Sequence, residues 1–369
     1  MQWIRVVDSP GNALPCAFIY AAARPVVALR GEKNDDSNKS LPGSPPAPAR
    51  PFVRSPFSIM TTAYITHPDC LKHDMGAGHP ECPDRLHAIN EQMRASGVLD
   101  QVLTLDAPLA HPEMLKRVHR AEYVDLIFDN APAHGLAQLD PDTAMNPHSL
   151  NAALRAAGAG VLAVDEVMAG RVANAFCAVR PCGHHATRSR SMGFCIFNNI
   201  AVAAAHALQA HGLERVAVID FDVHHGNGTE DVFGGAAWQD RVLMASLFQH
   251  PFYPYSGTDH PAPNMFNVPL GAGSDGAAAR QAVEQTWMPA LEDWKPEMIF
   301  ISAGFDAHRD DLLGGLKWVE ADYAWMTARL MEVAQRHAGG RVVSMLEGGY
   351  HLAALGRSVV AHVKTLAAL

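Results

Sequence analysis

The six cysteines of this 369-residue sequence (Cys16, Cys70, Cys82, Cys177, Cys182 and Cys195) form no CxxC pair. That spacing gives no support to a cysteine-ligated zinc. At this length it also argues against a disulfide scaffold and reads as reduced thiols of a cytoplasmic protein. No apolar run approaches the ~20 residues that cross a bilayer. Positive charge is in deficit. The formal net charge of −9 speaks against a binder of nucleic-acid phosphate and suits a cationic partner such as a lysine side chain or a polyamine. No internal repeat is visible. What is present is an ordinary globular composition, 48% hydrophobic and 18% charged, which excludes disorder throughout and fits one large α/β domain or two smaller ones. The 20 histidines are more telling, because they cluster beside aspartates and glycines.

Residues 1–58 read as a disordered or dispensable leader. The stretch from Gly31 to Pro56 carries KNDDSNKS and PGSPPAPARP, a linker composition. The apolar segment before it is interrupted by Arg24 and Pro25 and lacks the order of a secretory signal, with a weak targeting peptide as the alternative. Met60 offers a second start, since a compact pattern follows it at once. From Thr61 the chain alternates strands and helices. Four β-branched apolar runs, Asn174–Val179, Arg215–Ile219, Met298–Ser302 and Arg341–Leu346, predict buried parallel strands. Leu150–Met168 and Ile200–Ala210 predict helices between them. The alternation points to a parallel sheet covered by helices on both faces.

Each run is followed by polar, glycine-rich sequence: PCGHHATRSRSMGFCIFNN, DFDVHHGNGTED, AGFDAHRDDLLGG and EGGY. Ligands of open α/β sheets bind at the carboxyl ends of strands, so four ends bearing His, Asp and Tyr converge on one site. In an extended chain, residues two apart point the same way. Asp222 and His224 then face one point if the strand continues that far, with Asp306 as the third ligand of an open metal site. Asp220, one step back on the same side, is placed to orient a histidine. A solvated acidic loop with incidental histidines is the plainer reading of this segment alone, and Asp306 with the companion segments displaces it. Adjacent histidines are usually polar loop residues. At a strand end facing a metal site, flanked by Gly183 and the Gly193–Phe194 turn, His184 and His185 read instead as a general acid/base pair. Tyr350 follows Glu347-Gly348-Gly349 and is placed to donate its phenol proton to a developing oxyanion. A packed turn tyrosine is the alternative, and the paired glycines favour the site because they let backbones approach closely.

GHHA, GFCIFNN, DFDVHHGNGTEDVF, SAGFDAH and LEGGY, in this order, resemble the histone deacetylase family. So do HPECPDRL near Cys82, VHRAEYV near His119 and LDPDTAMNPHS near Asp142. The resemblance spans roughly residues 61–369. It looks closest to class II enzymes and their bacterial relatives, the histone deacetylase-like amidohydrolases and acetylpolyamine amidohydrolases. It implies a single arginase/deacetylase-like α/β catalytic domain over 61–369, with the active site at the carboxyl ends of a mainly parallel sheet. It further implies one catalytic Zn2+ on Asp222, His224 and Asp306. His185 would be the general base and His184 its electrostatic or acid partner, with Asp220 behind His184, Asn227 behind His185, and Tyr350 as the transition-state tyrosine. Asn227, where class I members have Asp, supports the class II-like placement. Some vertebrate class II members carry His at the tyrosine position and are poor deacetylases, so Tyr350 favours activity.

The resemblance also implies an acyl-lysine tunnel walled by Phe194, beside Gly193, and by Tyr253, which aligns better than Phe252 although the family usually has Phe there. Leu313 falls at the tunnel mouth and Arg85 beside an internal acetate channel. A structural K+ would be held by Asp220, Asp222, His224, Ser246 and Leu247, partly through main-chain carbonyls.

Together these imply a zinc-dependent amidohydrolase that removes acetyl or short acyl groups from acylated amines, foremost acetyl-lysine side chains. At the mouth, Leu313 favours acyl-lysine peptides or small acylated amines, where an acidic residue would favour a polyamine cation; acetylpolyamine deacetylation is the alternative. An arginase-like ureohydrolase would need more bridging aspartates for two manganese ions than DFDVHHGN and AGFDAH provide. A non-catalytic sensor of acylated ligands would be signalled by loss of a ligand, of His185 or of Tyr350, and all are present. The expected partner is the acylated substrate, with no nucleic acid and no membrane, in the cytoplasm. A homo-oligomer is left open, as is iron(II) or cobalt(II) in place of zinc.

Overall fold

The structure, a computed structural model, describes residues 61–369; the leader expected over 1–58 and the alternative start at Met60 lie outside the described residues. Ten strands are formed among the described residues: β1 (Thr62–Thr66), β2 (Leu103–Asp106), β3 (Ala137–Asp140), β4 (Thr143–Met145), β5 (Asn174–Cys177), β6 (Val216–Asp220), β7 (Val242–Gln249), β8 (Met265–Leu270), β9 (Ile299–Ala303) and β10 (Val342–Leu346). Eight build one sheet in the order β2-β1-β5-β10-β9-β6-β7-β8. Every pairing in it is parallel. Strands β3 and β4 form a separate antiparallel hairpin.

The four runs expected as strands are β5, β10, β9 and β6, the four central positions. All their residues are buried, as continuous apolar runs must be when helices cover both faces. The expected helices appear as Ser149–Met168 and Asn199–Ala210, packed on each other over the sheet. The helix Leu352–Leu366 packs between Asp84–Ala95 and Glu320–His337. No described helix is long and apolar enough to cross a membrane.

The register levels the central strands. Leu346 pairs with Ala303, Ser302 with Asp220, and Met345 with Cys177. Their carboxyl ends therefore open onto one crevice, and the four polar segments emerge into it side by side.

Candidate active site

β6 stops at Asp220, so Asp222 and His224 do not face one point through a continuing strand, as the two-residue spacing had suggested. A different device aligns them. The Asp220 carboxylate accepts the N–H of Asp222 at 3.1 Å, and the Asp222 carboxylate accepts the N–H of His224 at 2.9 Å. Two successive aspartate turns thus fold the segment so that both side chains converge.

Asp306, leaving β9, is fully buried and completes the group. His224 Nδ1 lies 3.0 Å from Asp222 Oδ1 and 3.2 Å from Asp306 Oδ2. Asp222 Oδ2 accepts the N–H of Gly348 at 2.8 Å, and Asp306 Oδ1 accepts that of Val223 at 2.9 Å. Asp306 Oδ2 has no hydrogen-bond partner among the described residues. Burial and the neighbouring Asp222 carboxylate push Asp306 up to about 7, a penalty that a cation between them would remove. An orphaned carboxylate oxygen beside an imidazole and a second carboxylate is a donor set that fits a divalent ion with an open side.

His184 and His185, beyond β5, lie beside the triad with ring centroids 4.0 Å apart and planes tilted by 42°. Their loop is tied down by Glu347, whose buried carboxylate accepts the N–H groups of Gly183 (2.7 Å) and His184 (3.1 Å). His184 Nδ1 meets Asp220 Oδ2 at 2.9 Å, and His185 Nδ1 meets Asn227 Oδ1 at 2.8 Å. The different partners separate their titration. Burial disfavours the charge on both rings. At His184 the carboxylates of Asp220, Asp222 and Glu347 outweigh it and hold the ring well above the usual histidine range. At His185 burial is reinforced by the neighbouring His184 and His224, which hold it well below. One ring is built to stay charged and the other to stay neutral.

Tyr350 faces them from the end of β10. Its N–H and that of His351 are both taken by Asp311 Oδ2, at 2.6 and 2.9 Å. The Arg85 guanidinium lies 5.0 Å from its ring centroid and donates to the carbonyls of Gly349 (2.7 Å) and Glu347 (2.5 Å). Arg85 and Arg180 are both fully buried and share the buried carboxylate of Glu81. Burial pushes the Tyr350 phenol up, so it stays a proton donor.

Above the triad lies a cavity of about 280 Å3, lined by His185, Tyr350, Phe194, Gly193, Tyr253 and Leu313 among others. Gly193 has no room for a side chain, since a Cβ there would stand 2.4 Å from the His185 ring. Phe194 holds a left-handed φ of 68°, a strained position for a side-chain-bearing residue. Asp142 and Thr143 hold the turn by accepting the N–H groups of Gly193 and Phe194, each at 3.0 Å. Tyr253 sits edge-on to His185 at 5.3 Å, and Phe252, passed over in favour of Tyr253, also lines the cavity and stacks on His224 at 5.4 Å. Beneath the triad, Asp220 pairs in register with Ser246, followed by Leu247 on β7. The buried Ser246 hydroxyl has no partner among the described residues, as a further cation position would leave it.

The sequence reading singled out neither Glu81, Glu347, Asp311 nor Thr143 as site residues. All four lay inside quoted segments, and nothing in the residue pattern separates a carboxylate that caps a loop, such as Asp311, from an exposed one.

The family described as "Histone deacetylase domain" matches residues 79–366. A histone deacetylase-like amidohydrolase of Pseudomonas aeruginosa is 39% identical over 281 residues, covering 74% of this chain and 73% of that protein. The polyamine deacetylase HDAC10 of Mus musculus is 35% identical over 328 residues, 83% of this chain and 48% of that longer protein. Among solved structures, the HD domain of HDA15 superposes with a TM-score of 0.78 at 35% identity, covering 84% of this chain and 89% of that one. With the site at the carboxyl ends of the sheet and these matches over nearly all the described residues, the chain belongs to the histone deacetylase family and is a hydrolase of the deacetylase/amidohydrolase kind.

Proposed function

We propose that the chain is a zinc-dependent deacylase that hydrolyses the amide of acetylated or short-acylated amines, foremost acetyl-lysine side chains. The observation that carries this reading is the convergence of Asp222, His224 and Asp306 beneath a cavity lined by both His185 and Tyr350. A Zn2+ held by that triad supplies Lewis-acid polarisation of the acyl carbonyl and acidification of water.

The chain's own residues do the rest. With Nδ1 engaged by Asn227, His185 presents Nε2 as an unprotonated acceptor and takes the proton of the attacking water. His184, kept charged by Asp220, supports the negative charge that develops. Tyr350 donates its phenol hydrogen to the oxyanion. The C–N bond then breaks, and the leaving amine takes its proton from the histidine pair, leaving carboxylate and free amine. Phe194 and Tyr253 flank the aliphatic stem of the substrate, and Arg85 serves the departure of acetate. Asp220, Asp222, His224, Ser246 and Leu247 would hold a K+ that steadies the segment beneath.

The kinship with a polyamine deacetylase keeps acetylpolyamines as the second reading. Leu313, an uncharged residue lining the cavity, favours the peptide. The experiment is turnover on an acetyl-lysine peptide and on acetylated polyamines, with and without chelator. Chelator-sensitive turnover favouring the peptide is expected. Chelator-insensitive turnover removes the metal mechanism, and preference for polyamines reverses the substrate assignment.

A further inference from the structure

A second group of metal-ligating side chains lies apart from the acyl cavity. Asp165 stands in the last turn of Ser149–Met168, His206 near the end of Asn199–Ala210, and His211 caps that helix. We propose that Asp165, His206 and His211 form a second divalent-cation site, of zinc type, clamping the two helices together.

Asp165 Oδ1 lies 2.8 Å from His206 Nε2 and 2.7 Å from His211 Nε2. One ligand atom from each residue falls within 4.8 Å of the other two. The catalytic triad shows the same signature, an imidazole nitrogen and carboxylate oxygens about 3 Å apart. Two imidazoles and one carboxylate suit zinc and its first-row neighbours and leave coordination positions for water. The side chains of Asp165 and His211 are 42% and 26% exposed, so an ion and its waters have an entry path. The helix carboxyl end beside His211 adds partial negative charge, which favours a cation there.

Arg117 makes the proposal sharper. Its Nη1 lies 2.8 Å from His206 Nδ1. An arginine only donates, so without an ion His206 carries its proton on Nε2 and gives it to Asp165. An ion on Nε2 sends that proton to Nδ1, where a ligating histidine wants an acceptor, and Arg117 must turn aside. Arg117 therefore opposes the ion and weakens the site. Replacing it with a residue that can accept from Nδ1 should strengthen it. A merely structural histidine–aspartate cluster predicts no such gain.

The test is equilibrium dialysis of the full-length protein against Zn2+ at neutral pH, counting ions per chain. Wild type is expected to hold two ions. His211→Ala and Asp165→Asn should each hold one and keep deacylase turnover, while Asp306→Ala should lose the other ion instead. Arg117→Gln should lower the free Zn2+ for half-occupancy of the second site about tenfold. A single ion in wild type that Asp306→Ala removes, two ions retained in both His211→Ala and Asp165→Asn, or a half-occupancy unchanged or raised in Arg117→Gln would each overturn the proposal.

Discussion

Tyr350 is fixed by its neighbours: Asp311 on its N–H, Arg85 over its ring, and the Phe194 ring 5.9 Å away at its edge. In the proposed mechanism this phenol contributes only once negative charge forms on the acyl oxygen. Tyr350→Phe should therefore lower kcat and kcat/KM together by about 10²–10³ with KM nearly unchanged. Steady-state kinetics on an acetyl-lysine peptide checks this, and a raised KM at unchanged kcat would mean that the ring only packs on the substrate. At this scale the gathering of His, Asp and Tyr at the strand ends was legible, because these residue types have few other reasons to meet there. The residues that hold them were not. Asp311 binds two main-chain N–H groups and Glu81 binds Arg180 across long sequence separations that leave no local pattern, and the i,i+4 pairing of Glu81 with Arg85 looks like any surface ion pair in the sequence.

Between residue and fold, short backbone devices set the geometry. Gly348 donates to Asp222, and a Cβ there would stand 2.0 Å from Asp306 Oδ2 and 2.6 Å from Asp222 Oδ2. Gly348→Ala should push the two carboxylates apart and weaken metal binding by about 10–100-fold, with the secondary structure intact by circular dichroism. Full metal content in that variant would show that the loop has slack. The four central strands were legible as buried β-branched runs ahead of polar loops. β7 is buried along its whole length and escaped only because no catalytic segment follows it. β2 was illegible for a physical reason: an edge strand with three of its four residues exposed carries little apolar signal. The alignment of Asp222 with His224, expected if the strand ran on, is reached through turns instead, because both conformations put these residues on one side.

For the whole molecule, the buried histidines set a limit in acid. His362 is packed among Phe176, Phe221 and Phe305, bonded to Thr327 (2.6 Å) and Ser344 (2.8 Å), and burial pushes it down to about 3. His119, between Thr187 and Asn198, is pushed by burial down to about 4. An unfolded chain binds a proton at such residues near pH 6.5, whereas the native state does not until far lower. Stability should therefore fall as pH drops below about 6.5 and continue falling towards the native values. Thermal unfolding should show Tm declining between pH 6.5 and 4.5, by about 2–4 °C for each kcal/mol lost. His362→Gln, which keeps hydrogen-bonding capacity without titrating, should flatten that decline, and an unchanged slope would contradict the assignment.

In the proposed mechanism ion and histidine pair are separate parts of one machine, the triad holding the metal and His185 moving the proton. Metal content and deacetylation measured side by side in His185→Ala and Asp306→Ala test it most directly. His185→Ala should keep its catalytic ion and lose about 10²–10⁴ in turnover, while Asp306→Ala should lose both ion and turnover. Wild-type turnover in His185→Ala, or full activity in an Asp306→Ala protein without its catalytic ion, would contradict it.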